Sequence, residues 1–201
     1  MLNLIRRDII LQKRQMIIFI PFILFFVLTG VPPILTFFVA SFFIPFNAYA
    51  YDEKTDANIL LNSLPYTRKQ IVAARYVGAL VFMFVASVLV ALSMMIFNRS
   101  FSLTDAAIGA LAFLLFGAIA FPLFYILKQG YITLVLMFVV IVGGIMSQPV
   151  IRFLSNHLTA ITTFFIETPD TSLYSGAAII ILLIYAASWT FTTIIYQKKA
   201  F

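Results

Sequence analysis

The chain has no cysteine, one histidine, and only 13 Lys and Arg and 7 Asp and Glu among 201 residues. Without cysteine there is no disulfide and no thiolate metal site. No glycine is followed by lysine, so the G-x-x-x-x-G-K-[ST] loop that cradles nucleotide phosphates is absent. H-E-x-x-H and G-x-S-x-G are missing too, which removes the commonest metalloprotease and serine-hydrolase signatures. What is plentiful is apolar: 63% of residues are hydrophobic, 23 are Phe, and the mean hydropathy is +1.09. A soluble domain is about half apolar, so this excess places the chain in lipid. The apolar runs are continuous rather than alternating, which favours helices over a barrel. The basic residues flank apolar spans, so nucleic acid is not an expected partner and membrane lipids are.

Six spans are predicted: residues 15–29, 34–50, 76–97, 106–127, 131–147 and 176–196. Gly30 and Pro32-Pro33 break the first pair into a tight hairpin. Gly143-Gly144 in the fifth would let a neighbouring helix approach closely. Residues 1–14 form an amphipathic segment, with Leu2, Ile5 and Ile9 at helical spacing and Arg6, Arg7, Lys13 and Arg14 supplying charge. It suits an interfacial helix on an anionic membrane face and also suits plain flanking charge. Ala48-Tyr49-Ala50 resembles a signal-peptidase site. The apolar stretch before it is too long for a signal core and is split by the proline pair.

Residues 148–175 read as an interfacial or partly re-entrant helix between the last two spans. Ile151, Leu154, Leu158, Ile161 and Phe165 make its apolar stripe, and Thr168-Pro169-Asp170 ends it. Arg152 and His157 argue against a further full crossing. His157 with Glu167 and Asp170 is the one arrangement resembling a metal or catalytic site; a lone histidine near an interface is more often only polar, so neither metal nor catalysis is expected.

Six spans put eleven cationic residues on the side of the termini: Arg6, Arg7, Lys13, Arg14, Lys54, Arg68, Lys69, Arg75, Lys128, Lys198 and Lys199. Two, Arg99 and Arg152, fall opposite. The positive-inside rule then places both termini in the cytoplasm. No predicted span carries an ionisable Asp, Glu, Lys, Arg or His. Ion-coupled carriers usually hold such a group at membrane depth, so the driving force is expected from outside the chain. The intramembrane polar groups are mild (Asn47, Ser87, Ser93, Ser188, Thr190, Thr192, Thr193) and are expected to bond their own helix or a neighbour, which suits an amphipathic cargo better than a bare ion.

The stretch 51–75, YDEKTDANILLNSLPYTRKQIVAAR, breaks the pattern. Asp52, Glu53, Lys54, Asp56, Arg68, Lys69 and Arg75 concentrate seven charges in 25 residues. Ala57, Leu60, Leu61 and Leu64 fall at i, i+3, i+4 and i+7, one apolar stripe on a short helix. Pro65 stops that helix, and Thr67 is a candidate N-cap for a second one running through Arg75 into the third span. The stripe could dock a soluble partner, or rest on lipid or on the chain's own spans.

Glu53-Lys54, Leu60-Leu61, Ser63-Leu64-Pro65, Arg68, Ile71-Val72 and Ala74-Arg75-Tyr76 resemble the first cytoplasmic loop of type-two ABC-transporter permeases, in a small bacterial six-span group. The resemblance implies an all-α permease domain over the whole chain, 1–201, that pairs with a second copy or paralogue. It implies two separate cytosolic ABC ATPase subunits that hold ATP and Mg, while the permease binds no cofactor and is not an enzyme. It further implies that loop 52–75 is a coupling element, with Ala57, Leu60, Leu61 and Leu64 docking on the ATPase. Glu53, Arg68 and Arg75 would be polar contacts or loop-holding pairs. The family exports lipids, glycans, peptides or drugs from the bacterial inner membrane. Two other classes fit the composition: a stand-alone immunity or scaffold protein, and a membrane-embedded lipid enzyme.

Overall fold

The computed structural model describes Leu4, Arg7, Ile10 and residues 13–54, 66–127 and 170–198. Among these residues there are five α-helices and no strand: α1 (Lys13–Leu28), α2 (Pro33–Lys54), α3 (Arg68–Ile96), α4 (Leu103–Ile126) and α5 (Asp170–Lys198). The expected fifth span at 131–147, the docking stripe at 57–64, His157 and the outer segment up to residue 169 lie outside the described residues, as do Leu2, Ile5 and Ile9.

The helix starts are written in local chemistry. Thr67 caps α3 through a capping box: its Oγ1 accepts from the Gln70 N–H at 3.3 Å, and its own N–H donates to Gln70 Oε1 at 3.0 Å. The helix expected to run on from Thr67 through Arg75 is present and continues unbroken to Ile96. Ser102 and Asp105 form the same box at the start of α4, at 3.0 and 2.8 Å. Gly30, with φ of 72°, turns the chain between α1 and α2, and Pro33 opens α2 where a missing N–H costs nothing. Asn98, at φ 50°, makes the turn after α3, a left-handed conformation asparagine tolerates.

Two boundaries differ from expectation. α2 runs on from the expected end at Ala50 to Lys54, so 48–50 lie inside a continuous helix and Glu53 sits in its last turn. α5 starts at Asp170, directly after Pro169, rather than at Gly176. Its first turns are rich in serine and threonine, which lowers hydropathy without breaking the helix; Ser175 Oγ bonds the Ser172 carbonyl at 3.1 Å.

α3, α4 and α5 are each long and apolar enough to cross a membrane, while α1 and α2 carry shorter apolar stretches, Ile17–Leu28 and Pro33–Tyr49. α1 to α4 alternate in direction, whereas α5 runs parallel to α4, with Ala118 beside Ser188 and Tyr125 beside Tyr196. Arg68, Lys69, Arg75 and Lys198 therefore gather at one end of the bundle, and Arg99 lies at the other. Leu4 is buried against this basic end, in one core cluster with Tyr49, Tyr76, Phe124 and Tyr196, whereas Ile10 is exposed. A second cluster near the opposite end packs Phe19, Ile23 and Val27 of α1 on Phe37 and Ile44 of α2 and on Phe82 and Val90 of α3. Ile179, Ile180, Leu183, Phe84, Met95 and Ile96 are exposed on the outer faces of α5 and α3. That surface is what a helix in hydrocarbon presents.

Candidate functional site

A helix leaves its last four carbonyls without partners, and each internal proline frees one more, four residues earlier. Deep in hydrocarbon no water can satisfy such a group, and at the ends of a bundle water and side chains share the task. At the basic end of this bundle, side chains from neighbouring helices do so. Arg68, at the start of α3, donates from Nη1 to the carbonyls of Tyr196 (3.3 Å) and Gln197 (2.8 Å) in the last turn of α5. A cation at a helix C-terminus also complements the helix dipole. Tyr49 of α2 donates its hydroxyl to the Phe124 carbonyl in the last turn of α4, and the two rings stack 4.0 Å apart. The same device recurs at the far end, where Arg99 Nη2 donates to the Leu28 carbonyl of α1 at 3.1 Å.

The deepest of these contacts is a hydroxyl relay. Pro122 interrupts α4 and leaves the Ala118 carbonyl without its helical donor. Ser188 of α5 donates to that carbonyl at 2.6 Å. Its only proton is then spent, so at 2.8 Å Ser188 Oγ must accept from the Tyr76 hydroxyl of α3. Tyr76 has likewise spent its proton and must accept from Thr192 at 2.7 Å. The polarity is thus fixed by the carbonyl: Thr192 to Tyr76 to Ser188 to Ala118, crossing three helices. Tyr185 adds a bond from its hydroxyl to the Tyr76 carbonyl at 3.0 Å. The Tyr76 ring stacks on Trp189 at 5.8 Å and meets Phe121 and Tyr185 edge-on at 5.0 Å.

Beside the relay, α2, α3 and α4 line an open-sided cleft of about 20 Å³. Space of that size holds a single water. Pro45, Tyr49, Arg75, Phe82, Phe124 and Tyr125 are among its walls.

Of the predicted site residues, the structure brings Arg68 and Arg75 towards the basic end, two turns apart on α3. Arg68 is engaged with α5, and Arg75 is half-buried along the cleft wall. Ala57, Leu60, Leu61 and Leu64 lie outside the described residues, and of Glu53 only the helical backbone is described. The polar side chains of the spans divide as expected. Asn47, Ser93, Thr190 and Thr193 bond carbonyls of their own helices. Ser188 and Thr192 reach across to other helices. Sequence reasoning missed the tyrosines Tyr49, Tyr76 and Tyr185. The available signal was Pro122, since a proline inside a span advertises a carbonyl that another helix must satisfy.

Searches of curated proteins and of solved structures return no significant match. A scan of protein-family models matches residues 3–197 to the ABC-2 family transporter protein. Nearly the whole chain is covered, and the chain belongs to that family of membrane transport components.

Proposed function

We propose that the chain is the six-span transmembrane subunit of an ATP-driven exporter. It lies in a bacterial cell membrane with both termini in the cytoplasm and pairs with a second copy or a paralogue to line the path. Hydrolysis of ATP, with its Mg, belongs to separate cytosolic ABC ATPase subunits, and this chain is not an enzyme. Ala57, Leu60, Leu61 and Leu64 dock on the ATPase. Glu53, Arg68 and Arg75 hold the loop rather than touch the partner, a role favoured by the engagement of Arg68 with α5. The cargo is amphipathic, a peptide, lipid or drug.

The observation that carries this reading is α3. It starts at a capping box directly after the docking loop and continues as one proline-free helix of 29 residues. That is about 43 Å of rigid rod, long enough to take a displacement at the basic end through the whole membrane. The gathering of Arg68, Lys69 and Lys198 at the same end supports a cytoplasmic position for the loop.

The test is copurification from the native host. The wild type should bring down a cytosolic ATPase. Leu60→Asp, which puts a charge on the stripe, should lose at least about nine-tenths of it while the protein stays inserted; a tenfold loss needs only about 1.4 kcal/mol. An ATPase that stays bound to Leu60→Asp defeats the docking assignment. A wild type that binds no ATPase favours a stand-alone immunity or scaffold protein.

A further inference from the structure

Serine and threonine inside helices ordinarily bond their own carbonyls three or four residues back. Ser41, Ser93 and Thr193 do so here, each to the carbonyl four residues earlier. Ser188 does not: it spends its proton on α4. What turns it outward is Tyr76, whose hydroxyl donates to Ser188 Oγ from the side of α3. Without that donor, Ser188 is free to rotate back onto its own helix, and the carbonyl released by Pro122 is left bare.

The consequence falls on one short piece of chain. Beyond Pro122, α4 has a single turn, ending at Ile126. Phe124 and Tyr125 of that turn form a wall of the one-water cleft that Arg75 also lines. A proline break with an unsatisfied carbonyl is where a helix bends. We propose that Tyr76 is a positioning residue for a gate: through Ser188 it keeps the last turn of α4 straight and the cleft narrow. Displacement of α3 withdraws Ser188 from the Ala118 carbonyl and lets that turn swing. The gate opens the basic end of the path to a cargo group. This rests on the proposed coupling of α3 to an ATPase, but the latch itself is a property of this chain alone.

The variant that isolates it is Tyr76→Phe. It keeps the ring that packs on Trp189 and Phe121, and Thr192 can return to its own helix, so no donor is stranded. Amide hydrogen exchange is measured on the purified protein in lipid nanodiscs. We expect exchange in residues 119–127 to quicken about fivefold, the scale of one interhelical hydrogen bond in a membrane, with the rest of α3 and α5 unchanged. Unchanged exchange in 119–127, or a rise spread evenly over all helices, overturns the latch. In the wild-type complex trapped with ATP and vanadate, the same amides should quicken by a similar factor. If they stay protected there, the latch does not serve as the gate. If the wild type recruits no ATPase while Tyr76→Phe still loosens 119–127, the latch stands and the ATP-driven reading falls.

Discussion

α4 meets α2 on one side and α5 on the other, and the two seams are built on different physics. Towards α2 the contact is steric. A Cβ on Gly109 would come within 2.6 Å of the Phe37 Cβ and 2.9 Å of the Ile34 carbonyl, so the backbones touch only because that position has no side chain. Phe116 drives edge-on into Phe38 and Phe42 at 5.8 and 4.8 Å. Towards α5 the contact is chemical. Ser188 closes the carbonyl freed by Pro122, and Tyr76 orients Ser188. At Gly117, on the same helix, the atoms nearest a Cβ would be those of the Phe121 and Tyr185 rings at 3.4–3.7 Å, ordinary contact. In a bilayer, lipid is as apolar as leucine, so helices gain little from burial alone. Close packing and interhelical hydrogen bonds must supply association. This helix uses one on each side. A seam held by shape should fail when volume is added, and a seam held by hydrogen bonds should fail when a hydroxyl is removed.

Four substitutions sharpen that contrast, measured as cooperative unfolding of the detergent-solubilised protein. Gly109→Ala should be the most damaging, about 3 kcal/mol, because its neighbours are backbone and a Cβ that cannot swing aside. A Gly109→Ala protein that unfolds like the wild type would mean the helices can part there without loss, and the steric account would fail. Ser188→Ala should cost about 1 kcal/mol, the value of one membrane hydrogen bond plus part of the cost of a bare carbonyl. Ser188→Thr keeps the hydroxyl and should recover most of that loss. Equal damage from both variants would show that volume, not the hydroxyl, matters at this seam. Gly117→Ala should change stability by less than about 0.5 kcal/mol, since a methyl fits there and alanine favours the helix. A large loss at Gly117 would erase the difference between the two sides of α4.

The two ends of α3 repeat the lesson on a smaller scale. Arg68 closes the last carbonyls of α5, and Arg99, just past its far end, closes the last carbonyl shown for α1. One unbroken helix is thereby fastened to two different neighbours at its two ends. α1, α2 and α4 each carry an internal proline, at positions 21, 45 and 122, whereas α3 and α5 carry none. The stiff helices are the ones joined by the relay, and the break in α4 lies where they hold it.

Much of this architecture is present in the amino-acid order. Runs of apolar residues that exclude charge commit these segments to membrane helices, because backbone groups in hydrocarbon can be satisfied only internally. The proline pair after Gly30 sets the first hairpin, and Thr67 with Gln70 sets where α3 begins, since caps act over three residues. The motif from Glu53 to Tyr76 carried the family. α5 begins ahead of the apolar run at Gly176 because hydropathy reports lipid exposure, and a serine-rich first turn is helical without being greasy.

What the order of residues left open is which polar group meets which carbonyl. Ser188 and Thr192 look the same in sequence as Ser93 and Thr193, yet the first pair reaches across to other helices and the second turns back on its own. That choice depends on whether a donor such as Tyr76, 112 residues away, is packed alongside. Gly109 and Gly117 are likewise indistinguishable until α2 lies against one and aromatic rings against the other. Short-range chemistry decides where helices start and how greasy they are. Only the packed bundle decides which orphaned carbonyl finds a partner, because that requires atoms far apart in the chain to be brought within 3 Å.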